Sequence, residues 1–190
     1  MNKIKIYCVT NKSVNFIKKE EYKFAWVGKE SPEENYIRCD SGDSIFYKEQ
    51  YYSELTFHYW YWKNLMHLER DDQWVGFCQK RRYWIKKKTE ENINLKNINE
   101  HLLTTIGDEF NNYESIICDP IDVLGSKKMK LLKRGWRNIL KKPGLFLNPN
   151  LMNLYDHFDM HHGYGNLSKA INLLNDEDKN DFKNYLKSNN

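Results

Sequence analysis

Residues 42–84 read GDSIFYKEQYYSELTFHYWYWKNLMHLERDDQWVGFCQKRRYW, and the succession of local chemistries along them decides the fold. Asp40-Ser41-Gly42-Asp43-Ser44 has loop chemistry, because Gly permits positive φ while Asp and Ser bond nearby backbone amides. Ser53 and Glu54 suit an N-cap and a first-turn acid, and a long run to Asn64 follows. Tyr52, Leu55, Tyr59 and Trp62 recur at helical spacing, with Thr56 and Trp60 widening the apolar face, which predicts a helix covered on most sides. Arg70-Asp71-Asp72 makes a turn. WVGFC is then a short apolar run of buried-strand type, ending in Gln79-Lys80-Arg81-Arg82. The stretch holds four of the chain's 6 Trp and six of its 13 Tyr. Aromatic surface for a base or sugar face thus stands beside fixed positive charge suited to phosphate oxygens, although most such rings serve as core.

Working outward, residues 3–10 (KIKIYCVT) alternate Lys with Ile and then turn apolar, as a strand entering a sheet does. KFAWVG at 23–28 is a second strand, and 36–39 a short third. Residues 86–100 are polar, a loop followed by a weak helix. YESIICDPIDV at 113–123 reads as another buried strand, stopped by Pro120. Strands alternating with helices give an α/β sheet. From Ser126 to Lys142 there are eight Lys or Arg and no acid, and Met129, Leu132, Trp136, Ile139 and Leu140 fall on one helical stripe. That is a basic amphipathic helix. Two short helices, 166–174 and 176–186, close the chain. The expected organisation is one domain over 1–190, an α/β nucleotide-binding core at 1–125 followed by a helical segment at 126–190.

A chain of 190 residues supports one real core. Its net charge of +4 is too mild to imply nucleic-acid binding. Cys8, Cys39, Cys78 and Cys118 lack CxxC spacing, so reduced, buried thiols are expected rather than zinc or a redox pair. IKIYCVT is too short and polar for a secretion signal, and no segment reaches membrane-spanning length. A cytoplasmic location is expected, with peripheral contact at the inner face of the membrane through residues 127–142.

At GDSI, YYSELT, YWYWKN and WVGFCQKRRYW, and also at KIYCVT and LYDHFDMHHGYGNLSKAINLL, the chain resembles a domain-of-unknown-function family. That family is described as glycosyltransferase-like and is found among capsule and exopolysaccharide biosynthesis genes. The resemblance implies a GT-A type fold: a nucleotide-binding mixed sheet flanked by helices. It implies transfer of a sugar from a nucleotide-diphosphate donor to a glycan or lipid-linked acceptor in surface polysaccharide synthesis. The family usually carries a His and an aromatic before the paired arginines, where this chain has Gln79 and Lys80. Members also commonly continue past this chain's last residue, so the resemblance reaches further for fold than for activity.

The donor diphosphate is expected against Lys80, Arg81 and Arg82, with Tyr83 beside them, because planar guanidinium groups match phosphate oxygens and diphosphate is the leaving group. Thr10 and the loop residues Asp40, Gly42, Asp43 and Ser44 are expected near the nucleotide, Ser53 and Glu54 near donor hydroxyls. Each has a structural alternative as turn, cap or surface charge. Asp119, or the Asp156–His162 cluster with Asp159, His161 and His162, would take the acceptor proton. No metal is required on this reading; Asp119 and Asp122 are the alternative pair for Mg²⁺ or Mn²⁺. Two other functions compete: a non-catalytic nucleotide-sugar or glycan-binding module of the same fold, and a basic nucleic-acid-binding protein using 127–142.

Overall fold

The computed structural model describes residues 2–32, 35–87, 89–119 and 128–188, in two compact units, Met1–Ile116 and Ile117–Asn190. The first is α/β. In chain order it contains β1 (Asn2–Thr10), β2 (Tyr22–Trp26), β3 (Ile37–Arg38), α1 (Glu49–Tyr52), α2 (Leu55–Asn64), β4 (Trp74–Gln79), α3 (Ile98–His101) and β5 (Thr105–Ile106). β3, β2, β1 and β4 lie side by side in that order, all parallel. β5 pairs antiparallel with Asn2 and Lys3 of β1, making an open mixed sheet.

β1 is central and covered on both faces, which is why its sequence turns wholly apolar. Side chains alternate along a strand. Ile4, Ile6 and Cys8 join one cluster with Val14, Tyr22, Cys78, Ile98 and Leu102. Tyr7 and Val9 join another with Ala25, Val27, Phe57, Trp60 and Tyr61. Two groups are thereby drawn to Glu69 after α2: Lys5 Nζ at 2.5 Å and the Tyr7 hydroxyl at 2.8 Å.

The buried side of α2 is Thr56, Phe57, Trp60 and Tyr61, while Tyr52, Leu55 and Trp62 are exposed. This corrects the expected stripe and the expectation of cover on most sides. A run aromatic in nearly every position shows a helix but not its phase; the phase is set by the sheet, whose Tyr7 and Phe77 meet Tyr61 at ring distances of 5.1 and 5.2 Å. Ser53 is not an N-cap either. It sits at φ +46° between α1 and α2, and Glu54 occupies the cap position of α2 with no side-chain capping bond. β4 is a strand as expected, yet only Cys78 in it is buried, because β1 is its one strand partner among the described residues.

Residues 113–119 contain no strand, a second correction; Tyr113, Ile117 and Cys118 are exposed and Ile116 alone of this run packs on the core. Strand-forming residues become a strand only where a neighbour offers its hydrogen-bonding edge, and here 113–116 line a cavity beside β4 instead. Residues 120–123 of that expected strand lie outside the described residues.

The second unit is helical: α4 (Lys128–Arg134), α5 (Trp136–Lys141), α6 (Gly144–Leu147), α7 (Leu154–His162), α8 (Asn166–Ile171) and α9 (Asp176–Ser188). The single basic helix expected over 127–142 is two. Gly135 separates them, and a Cβ there would come within 2.7 Å of the Leu131 side chain. Leu131, Leu145, Met152 and Met160 form one core, with Ile139 against it. Leu132, Trp136 and Leu140 of the expected stripe are exposed. Among the described residues no helix is long and apolar enough to cross a membrane.

Candidate functional site

Four parallel strands deliver their carboxyl ends to one edge of the sheet. At the end of β1, the buried Thr10 hydroxyl donates to the Lys12 carbonyl at 2.7 Å and accepts from the Lys12 amide at 3.0 Å. Thr10 therefore shapes the turn that presents Asn11 and Lys12, and its side chain is already satisfied. Val9 and Gln79 are in register, so Asn11 meets the segment leaving β4. The Lys80 ammonium donates to Asn11 Oδ1.

After β4 the chain reverses at once. Gln79 and Arg82 exchange backbone hydrogen bonds of 3.3 and 3.0 Å, placing Lys80 and Arg81 at the tip of a tight turn. Tyr83 clamps this turn, its hydroxyl donating to the Lys80 carbonyl at 2.8 Å. The Trp84 indole donates back to the Phe77 carbonyl at 2.9 Å. Arg81 and Arg82 are exposed on that braced turn, without an ion pair or side-chain hydrogen bond among the described residues. Lys12, Lys80, Arg81 and Arg82 thus make one cationic edge. It is open surface: two cavities described for this unit, about 780 and 500 Å³, are not lined by these residues.

The expected donor loop is built mainly for its own fold. Asp40 is ion-paired with Arg38, which holds its carboxyl below the usual range. Gly42 has φ +67°, and a Cβ there would fall 2.3 Å from Asn64 Oδ1. Asn64 accepts from the Asp43 amide at 3.1 Å and donates to the Asp43 carbonyl at 2.9 Å, while Asp43 Oδ1 accepts from the Tyr59 hydroxyl at 2.9 Å. Ser44 donates to the Cys39 carbonyl and accepts from the Phe46 amide. The Trp60 indole reaches the Ser41 carbonyl at 2.6 Å. Loop and α2 form one hydrogen-bonded piece. The sequence reading missed Asn64 as its keystone and Asn11 as the partner of the basic turn; the signal for the latter was only its place directly after β1.

The smaller cavity, near β4, is lined by His58, Tyr61, Trp62, Met66, Glu69 and Phe77 among others. Burial pushes the His58 imidazole pKa down, so it is neutral at pH 7, its ring 4.6 Å from Phe77. Cys8 and Cys78 lie opposite each other on β1 and β4. The hydrogen bond to Cys8, together with burial, keeps the Cys78 thiol protonated far above its ordinary range.

The acid–base candidates Asp119, Asp159, His161 and His162 belong to the second unit. Asp119 is exposed. Asp122 lies outside the described residues. Asp156 is structural: it completes a capping box with Asn153 at the start of α7 and takes Lys142 at 3.0 Å. His157 and His161 share a face, ring centroids 4.3 Å apart, and His161 Nδ1 is 2.8 Å from the His157 carbonyl. The His162 ring packs tilted against Phe158, centroids 4.4 Å apart. Asp159 Oδ1 is buried without a hydrogen-bond partner among the described residues. Those residues include no group of three or more His, Cys, Asp or Glu able to hold a metal ion.

The family described as Domain of unknown function (DUF4422) matches residues 5–190. No curated protein and no solved structure matches the chain.

Proposed function

We propose that this chain, which belongs to the DUF4422 family, binds a nucleotide-diphosphate sugar at the carboxyl edge of its sheet and transfers the sugar to a glycan or lipid-linked acceptor. The observation carrying this reading is the strand order. The chain runs outward from β1 through β2 to β3 and then returns to β1's other side as β4. In open α/β sheets ligands bind outside the carboxyl ends of the strands where the order reverses. Here that point lies between β1 and β4, and the residues presented there are Asn11, Lys12, Lys80, Arg81 and Arg82. The resemblance to glycosyltransferase-like proteins supplies the substrate class and the finer GT-A assignment.

During transfer the bond between the anomeric carbon and the diphosphate oxygen breaks, and the acceptor oxygen bonds to that carbon. Negative charge grows on the departing diphosphate. Cations fixed on a braced turn stabilise it there more than in the bound donor. These side chains are hydrogen-bond donors and cations, the wrong chemistry for Mg²⁺ or Mn²⁺, so no metal is assigned to this edge.

One observation favours a second reading, a non-catalytic nucleotide-sugar-binding module. The acceptor proton needs a base, and the carboxylates near this edge are engaged, Asp40 by Arg38 and Asp43 by Tyr59. Asp119, Asp159, His161 and His162 are assigned no step.

Calorimetric titration with UDP- and GDP-sugars tests the site. Arg81→Ala with Arg82→Ala removes two charge-assisted contacts worth about 1.5–3 kcal/mol each, an expected affinity loss of roughly a hundredfold or more. Unchanged affinity would refute the assignment. Binding without sugar transfer or donor hydrolysis would establish the module instead.

A further inference from the structure

We propose that the surface presented by α4, α5 and α6 docks on an anionic lipid bilayer. This rests on the second unit alone and is independent of the nucleotide site. Residues 123–155 contain eight Lys or Arg and no Asp or Glu. Within that stretch apolar side chains divide into two sets. Leu131, Leu145 and Met152 close a core with Met160 and Ile139. Leu132, Trp136, Leu140, Phe146, Leu147 and Leu151 are left outside it, with Trp136 at 49 %, Leu140 at 72 % and Leu147 at 79 % exposure.

The cations are arranged to match. Lys133 and Arg134 have no carboxylate partner among the described residues. Arg137 lies over the rings of Trp136, at 5.1 Å, and of Tyr164, at 5.7 Å, and Lys141 lies 4.8 Å over Tyr164. Stacking of this kind holds positive charge at the surface without neutralising it.

Charge complementarity and the exposed apolar set together select the occupant. A nucleic acid would use the cations and leave six large apolar side chains in water. Asp156 neutralises Lys142 at 3.0 Å, but Lys133, Arg134 and Arg137 keep their charge, and a basic surface carrying exposed Leu, Phe and Trp matches a membrane interface: lipid phosphates meet the Lys and Arg, apolar side chains enter the acyl boundary, and Trp sits at headgroup level. Gly135 has a place in this reading. It is buried on the core side of the α4–α5 junction, where a Cβ would come within 2.7 Å of the Leu131 side chain, while Leu132, Trp136 and Leu140 stay outside.

The test is co-sedimentation of the whole chain with vesicles, either of phosphatidylglycerol and phosphatidylcholine in equal parts or of phosphatidylcholine alone. Retention on the anionic vesicles at low salt is expected, with little on the neutral ones. Leu140→Asp with Leu147→Asp, at exposed positions that leave the core intact, should weaken retention at least tenfold. Lys133→Glu with Arg134→Glu should weaken it by about fivefold or more per cation. Unchanged thermal unfolding would show that both variants fold. No retention of the parent on anionic vesicles overturns the proposal. So does retention indifferent to the leucine variants but displaced by a short DNA duplex, which would make this a nucleic-acid surface.

Discussion

Replacing Gly42 by Ala isolates what holds the loop after β3. Two costs are expected. An L-residue at φ +67° is strained by roughly 1 kcal/mol. The new Cβ, 2.3 Å from Asn64 Oδ1, also expels that amide. Asn64 then loses its pair of hydrogen bonds to Asp43, about 1 kcal/mol each. The sum is about 3 kcal/mol, or roughly 12 °C in the melting temperature of a unit spanning Met1–Ile116. Calorimetry or urea titration measures it, and a double-mutant cycle apportions it. On an Asn64→Ala background the same substitution should cost only the backbone strain, about 1 kcal/mol, because the clashing amide is gone. A cost below about 0.5 kcal/mol on the parent chain, or an equal cost on both backgrounds, would refute this reasoning. Nucleotide affinity of the folded variant should stay near the parent's, since the loop's polar groups are spent on α2, Arg38, Cys39 and Phe46.

Alkaline pH should destabilise the first unit. Burial pushes the Cys39 thiol up to about 11 and the Tyr61 phenol up to about 12, and raises Tyr7, Tyr22 and Tyr83 further. Groups whose folded values are raised contribute stability that is complete below their unfolded values, about 9 to 10, and lost as pH rises through the folded ones. Urea midpoints should therefore fall steadily above about pH 9; a midpoint constant to about pH 11 would contradict the burial described. Thiol titration gives an independent check. Cys8, Cys39 and Cys78 are buried and Cys118 is exposed, so a bulky disulfide reagent should label Cys118 alone in the native chain and all four after denaturation. Rapid native labelling of Cys8 would disprove the packing of β1.

The strands around β1 were legible because a core strand carries its own signature: KIKIYCVT and WVGFC are apolar runs bounded by polar turns. The phase of α2 was not, because its aromatic residues surround the axis and only the partner face, Tyr7 and Phe77, selects Phe57 and Tyr61. YESIIC misled for a related reason: strand propensity is local, but pairing needs a neighbour. At the site, the basic end of β4 was readable from QKRR, whereas its tight reversal and its contact with Asn11, which depends on the β1–β4 register, are facts with no local trace. The loop at 40–44 was seen, but its meaning was not, since Asn64 lies more than twenty residues further on.

The β1–β4 pairing joins residues some seventy positions apart, Ile4 to Trp74 among them. The cationic edge therefore exists only when the whole sheet has assembled, and no fragment shorter than that span can carry it. A ligand held there binds the native ensemble and not the unfolded one, so it raises global unfolding free energy by RT ln(1 + [L]/Kd). Hydrogen exchange of the β1 amides would register the ligand as strongly as the residues that touch it, which makes the buried strand the most faithful reporter of occupancy at the surface.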